Sequence, residues 1–174
     1  EEKREVDVVF TTGARVKREG WFSPPFFEEL SLEEGHVRLE RLNGGAPLLD
    51  THGQWSLDSV LGVVVAGSAR IDAGKGVARV RFSKGERGEA AFREVKDGIL
   101  RNISVGYSIH KMKRVADDGN EDDVIPVFRA IDWEPAELSL VPVPADAGAQ
   151  VRSGEATTPC VIVTRSAEET SMKT

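Results

Sequence analysis

Short runs of alternating hydrophobic and polar residues fill most of this chain, and they predict strands. Side chains alternate between two faces along a strand, so a period of two marks a strand with one buried side. Residues 6–10 and 14–18 read this way, and the valine-rich run 61–65 suits a short buried strand. Residues 68–71 and 77–82 flank Asp72-Ala-Gly-Lys-Gly76 and predict a hairpin. Residues 36–42 alternate and stop at Asn43-Gly44-Gly45. Residues 127–133 and 136–141 read as two more strands, broken at Glu134-Pro135. Helical signals are fewer. After Pro24-Pro25, residues 26–30 predict one helical turn. Ala91, Phe92 and Val95 fall at helical spacing between charged residues, so 86–97 predicts a helix with Gly98 at its C-terminal cap. Residues 144–149 predict the opening of another helix.

One strand is oddly built. In the stretch LRNISVGYSI, residues 100–109, the odd positions Ile103, Val105, Tyr107 and Ile109 are large and apolar. The even positions Asn102, Ser104, Gly106 and Ser108 are small or polar. A sheet face this bare is either exposed to solvent or the floor of a cleft. Small residues there would let an extended peptide approach Ser104.

Many short strands with few helices predict a mainly β fold with helices: a mostly antiparallel, closed barrel of about seven strands, with a few helices around it. Closure would remove the exposed edges that so many strands otherwise leave. The 174 residues suit one domain with a real core, expected over 1–149, followed by a polar, flexible tail over 150–174.

Composition narrows the function classes. A net charge of -6 disfavours nonspecific nucleic-acid binding, and no aromatic-plus-basic strand face suits a single strand of nucleic acid. Trp21, Trp55 and Trp133 are scattered and read as core or cleft-rim residues. One cysteine, Cys160, excludes an internal disulfide, and with three histidines no zinc-site spacing exists. No apolar run of membrane-spanning length and no signal peptide is present, so a soluble cytosolic domain is expected. The chain opens at Glu1 without Met, the pattern of a trimmed or processed fragment.

Several chemical candidates dissolve on inspection. The glycines of 72–76 lack the spacing and the Ser/Thr of a phosphate loop and read as a hairpin turn. The acidic stretch 117–123 lacks the order of a calcium loop, and the basic run 111–114 beside it reads as a solvated strand end. Cys160 has no local histidine. What remains is a set. Ser104 sits on the bare face, His52 follows Leu48-Leu-Asp-Thr, and Glu137 shares one strand face with Ser139, opposite Leu138 and Leu140. Serine needs a base, imidazole suits that near neutral pH, and a carboxylate can hold the imidazole's tautomer. His110, six residues past Ser104, and Asp132 are rivals for that third place.

The same residues lie in three ordered motifs: Leu48-Leu-Asp-Thr-His-Gly53 followed by Leu61-Gly-Val-Val64, then Gly98-Ile-Leu-Arg-Asn-Ile-Ser-Val-Gly-Tyr107, then Glu137-Leu-Ser-Leu-Val-Pro-Val-Pro-Ala145. In this order they resemble the prohead (head maturation) proteases of tailed bacteriophages, relatives in fold of the herpesvirus assembly proteases, over residues from about 4 to 149. Thr51 stands where the family commonly has Asn, and Val-Gly-Tyr replaces Ile-Gly-Phe. The resemblance implies Ser104 as nucleophile, His52 as base and Glu137 as third member, with an oxyanion loop around 141–146. It implies a serine endopeptidase that needs no cofactor and cuts the scaffold segment of a phage capsid protein, and itself within the tail after Gln150. It further implies a homodimer in the bacterial host cytoplasm inside the assembling procapsid, while charge and the lack of an apolar span leave neither nucleic acid nor membrane as an expected partner. The rival reading from another class is a catalytically silent scaffold or assembly chaperone on the same barrel.

Overall fold

The computed structural model describes residues 3–19, 24–115 and 125–152. Trp21, the acidic stretch 117–123, Cys160 and the tail from residue 153 lie outside the described residues. The elements are β1 (Glu5–Thr11), β2 (Val16–Arg18), β3 (Phe26–Leu30), α1 (Glu40–Asn43), β4 (Pro47–Asp50), β5 (Val60–Val64), β6 (Arg70–Asp72), β7 (Lys75–Phe82), α2 (Glu86–Lys96), β8 (Ile103–Val115) and β9 (Val127–Leu140). A single turn of 3-10 helix, Leu57–Ser59, leads into β5.

The fold is mostly β with few helices, but the closed antiparallel barrel is not what forms. The strands make one open, mixed sheet in the order β1-β7-β5-β4-β9-β3-β2, with β6 on β7 and β8 on β9. Two of its pairings are parallel, and both involve β9. Along one edge β9 pairs antiparallel with β8 from Val127 to Leu140. Along its other edge it takes β3 in parallel (Leu30 opposite Ala130) and then β4 in parallel (Leu48 opposite Leu138). Where β1 nears the start of β8, no continuous ladder joins them. The chain at Gln150 and Val151 makes two isolated bridges instead, Val8 with Val151 and Asn102 with Gln150. Alternation along a strand shows that one face is buried; it carries no information on partner or direction, which is why the barrel expectation failed.

Local corrections follow the same logic. Residues 26–30 form β3 rather than a helical turn, because their pairing with β9 outweighs local propensity. Residues 36–42 make one bridge, Val37 with Trp133, and then turn into α1, which buries Leu42. Residues 47–50, unassigned by pattern, are β4. The predicted break at Glu134-Pro135 is absent, and β9 runs through it. Its register against β8 slips there, Gly106 facing Glu137 and Tyr107 facing Pro135, so Ala136 is an extra residue. A bulge is where a sheet tolerates a proline that has no N–H to give. Residues 144–149 form turns, not a helix.

Two local expectations hold, the 70–82 hairpin and the 86–97 helix. β6 and β7 form a hairpin whose two loop residues, Ala73 and Gly74, have φ of 48° and 70°, the left-handed pair of a tight hairpin turn. α2 ends with Gly98 at φ 73°, its N–H on Val95 O, while Ile99 N–H bonds Glu94 O. Those two bonds satisfy carbonyls that a helix end leaves open. Val8, Phe10, Leu48, Ile103, Leu138 and Trp133 are the fully buried centre of the core. Trp133 Nε1 donates to Ser31 O at 2.8 Å, so its burial leaves no orphan donor. Trp55, by contrast, is wholly exposed.

Gly62 of β5 lies tightly against β7: a Cβ there would come 2.3 Å from the Arg81 carbonyl oxygen. Gly62→Ala must push the two strands apart. The expected loss is about 1–3 kcal/mol, read as a lower denaturant midpoint with an unchanged slope. An unchanged midpoint would mean that this close approach does not constrain the sheet.

Candidate active site

β9 carries the site, because both strands that bring the other residues pair with it. Asp50, the last residue of β4, lies opposite Leu140. The chain then reverses through Thr51 (φ 48°) and His52 (φ 57°), two non-glycine residues in the left-handed region. Such a pair persists only where surroundings hold it. Thr51 N–H bonds Leu140 O at 3.0 Å, Gly53 N–H bonds Asp50 O at 2.8 Å, and His52 N–H bonds Ser139 Oγ at 3.1 Å. The turn swings the imidazole back over β9. On the other side, Ser104 of β8 faces Ser139, and Gly106 faces Glu137.

The side chains meet in a line. His52 Nε2 lies 2.9 Å from Ser104 Oγ, and His52 Nδ1 lies 2.6 Å from Glu137 Oε1. An ionised carboxylate only accepts, so Nδ1 carries the proton and Nε2 is left to accept the serine hydroxyl. Ser139 Oγ donates to Glu137 Oε2 at 2.6 Å, so both carboxylate oxygens are engaged. Glu137 is 2% exposed, a burial that an unpartnered carboxylate would not sustain. Opposite Glu137, Gly106 is required: a Cβ on it would fall 2.0 Å from Glu137 Oε1. At Gly106 the bare strand face is thus floor space for the carboxylate.

With this geometry in view, the comparisons fall into place. The family model described as caudovirus prohead serine protease matches residues 47–170. This chain belongs to the caudovirus prohead serine protease family. The resemblance drawn from the three motifs is therefore borne out. A relative, the major capsid protein of Halomonas phage phiHAP-1, is 36% identical over 144 residues, which are 82% of this chain and 23% of that protein. The chain thus spans about a quarter of the relative's length. No solved structure matches.

The rival third members lie elsewhere in this prohead-protease fold. Asp132 is held by Arg38 in a two-pronged pair at 2.7 and 2.6 Å, and that hydrogen bond keeps its carboxyl below the usual carboxylate range. His110 is exposed further along β8. Neither bonds His52; Glu137 does. Among the described residues, no group of three His, Cys, Asp or Glu stands close enough to hold a metal, and no helix is long and apolar enough to cross a membrane.

A cavity of about 180 Å³ opens beside Ser104 and His52. Its walls are largely apolar, with Phe10, Val16, Leu30 and Ile103 among them, and its polar edge is Arg18, Glu28 and Tyr107. The Tyr107 hydroxyl donates to Glu28 Oε1, and Arg18 Nη2 bonds both that carboxylate and the hydroxyl. Glu28 is buried, and its charge is matched within the cluster. The loop after β9 closes one end of the cavity. Asp146 accepts Thr12 N–H at 2.6 Å and the Thr12 hydroxyl at 2.9 Å, and Asn102 Nδ2 donates to Pro142 O at 2.8 Å. Sequence reasoning had singled out neither cluster. They join segments far apart in the chain, Tyr107 to Arg18 and Asp146 to Thr12, and the only local signal was the pair Glu28-Glu29 inside an otherwise apolar run.

Two tests follow from this geometry. Gly106→Ala should drive Glu137 off Nδ1, lowering the rate at which an aryl fluorophosphonate labels Ser104 by at least about tenfold in the molecules that fold. Wild-type reactivity in the variant would show that the carboxylate is not needed where it lies. Burial, together with the hydrogen bond to Glu28, pushes the Tyr107 hydroxyl up to about 12. Tyr107 is the one tyrosine in the chain, so phenolate absorbance reads it alone. No phenolate should appear near pH 10, and the signal should rise around pH 12. Because the folded-state value is the raised one, the hydroxyl's contribution to stability is complete below about pH 10 and is lost as pH climbs through about 12. A midpoint near 10 would mean that the hydroxyl is not enclosed.

Proposed function

We propose that this chain is a serine endopeptidase of phage capsid maturation, with Ser104 as nucleophile, His52 as general base and Glu137 as the group that orients His52. One observation carries the reading: the unbroken line Ser104 Oγ, His52 Nε2, His52 Nδ1, Glu137 Oε1, with spacings of 2.9 and 2.6 Å at its two joints. Family membership supports the coarser statement that the fold is that of a prohead serine protease.

The chemistry runs as follows. Ser104 Oγ attacks the scissile carbonyl carbon as its proton passes to His52 Nε2. The imidazolium that forms is stabilised by Glu137 through Nδ1–H. Collapse of the tetrahedral intermediate breaks the C–N bond, and the proton on Nε2 goes to the leaving amine. Water, deprotonated by His52, then attacks the acyl-enzyme and frees the acid. The oxyanion requires backbone N–H donors, each worth roughly 2.7–4 kcal/mol where one has been removed in other enzymes. The loop 141–146 is our assignment for them; the Asn102–Pro142 bond and the Asp146–Thr12 bonds hold that loop beside Ser104. The 180 Å³ cavity is large enough for one side chain of the substrate.

The substrate we assign is the scaffold segment of a capsid protein, and the chain's own tail beyond a protease domain of 1–149, cut at a bond past Arg152 because Gln150 and Val151 still bridge to Asn102 and Val8. The relative supports this: in that phage a segment similar to this chain is a quarter of a protein named major capsid protein, so enzyme and substrate would share one polypeptide there. Action within the assembling procapsid in the host cytoplasm, as a homodimer without a cofactor, completes the reading. The same relative's name favours one alternative, a silent assembly module built into capsid protein.

Intact mass over time, for wild type and Ser104→Ala at equal concentration, separates the two. Wild type is expected to shed fragments while Ser104→Ala stays whole. Equal shedding by both would take Ser104 out of the reaction. If neither changes and an aryl fluorophosphonate does not label Ser104, the silent module is the better reading.

A further inference from the structure

Ser139 lies outside the three residues of the proposed chemistry, yet it is fully buried and joined to two of them. Its hydroxyl has one proton, which goes to Glu137 Oε2 at 2.6 Å. Its oxygen accepts the backbone N–H of His52 at 3.1 Å. His52 Nδ1–H in turn reaches Glu137 Oε1 at 2.6 Å. The three bonds close a ring: His52 backbone to Ser139, Ser139 to Glu137, Glu137 to the His52 imidazole. Both ends of the histidine, main chain and ring, are therefore tied to one strand through residues two apart on one face.

We propose that Ser139 is a positioning residue that holds His52 and Glu137 in reactive register, an inference that rests on the reading of Ser104 and His52 as nucleophile and base. Two features of the ring require a small hydroxyl at this place. The first is the left-handed backbone at Thr51 and His52, which two main-chain bonds and the Ser139 oxygen restrain. The second is the Glu137 carboxylate, whose Oε2 would otherwise be buried without a donor. Left free, the carboxylate can rotate about its last torsion and the Nδ1 bond loses its direction, because such terminal torsions have broad minima. Ser139 stops that rotation. A residue with a donor but no acceptor could hold Glu137 but not the His52 turn. A residue with neither would loosen both. This explains the Glu-x-Ser spacing of the third motif: a period of two puts the carboxylate and its clamp on the same face.

The test uses the full chain, wild type and Ser139→Ala, with an aryl fluorophosphonate as probe. Labelling forms a bond from Ser104 Oγ to phosphorus as fluoride leaves, and the serine proton passes to His52. The first-order labelling rate constant should fall about 10- to 100-fold in Ser139→Ala, the effect of losing one hydrogen bond to a charged group. A refolding unfolded fraction lowers the rate constant only in proportion to its population, which circular dichroism of the same sample measures, so a tenfold fall in a mostly folded sample is not a loss of fold. The second readout is the far-downfield proton resonance of the His52 Nδ1–H, which should shift or broaden in the variant while the rest of the spectrum stays dispersed. A merely structural serine would not move it in the folded molecules. Should Ser139→Ala fail to fold, Ser139→Cys, of similar size with a weak donor, is read the same way and should show a smaller drop. A wild-type rate constant with an unmoved resonance overturns the proposal. If wild type itself is not labelled at Ser104, it is the protease reading that falls, and the resonance alone still decides whether Ser139 holds the His52–Glu137 bond.

Discussion

A buried carboxylate governs this structure. Glu137 is almost wholly removed from water, and a charge in that position is tolerated only when its oxygens are fully bonded. Each nearby irregularity serves that need. The bulge at Ala136 sets the register that brings Glu137 opposite Gly106. Gly106 leaves the volume that the carboxylate fills. Ser139 engages one oxygen and His52 the other. The proline before the bulge has no N–H for the ladder to miss, so the strand continues where the pattern suggested a break.

The second constraint is topological. β9 is long enough to pair with β8 along one edge and with both β3 and β4 along the other. That places the ends of β4 and β8 on opposite sides of one strand, close enough for a histidine leaving one to reach a serine on the other. Parallel strands need long crossover connections, and their pairing is non-local. The site is accordingly assembled from segments far apart in sequence, with His52 separated from Ser104 by 52 positions and from Glu137 by 85.

Polar groups elsewhere obey the same rule at smaller scale. Glu28 and Glu29, carboxylates on a half-buried strand, are matched by Arg18, Arg15 and Arg129 and by the Tyr107 hydroxyl. The Glu28 cluster forms one edge of the cavity beside Ser104, so the charge balance that allows β3 to enter the sheet also shapes the space next to the Ser104 hydroxyl. Asp146 plays a comparable part for the loop after β9, tying it to the chain after β1 through Thr12.

The sequence by itself determined the local elements and the chemical inventory. The β6–β7 hairpin follows from its turn residues, and α2 from its helical spacing and from Gly98, because each depends on contacts within about ten residues. Ser104, His52 and Glu137 were legible because three ordered motifs carried them, with Glu137 still one of three candidates for its place. Only the tertiary structure decided the rest: that the sheet is open and mixed, that residues 26–30 are a strand, that residues 134–135 do not interrupt β9, and that Gly106 is small for the sake of Glu137. The physical reason is common to all of these. A period of two shows that a strand has a buried face, but which strand pairs with it, in which direction and in which register is settled by packing and by the bonding of buried charge, and both join residues far apart in the chain.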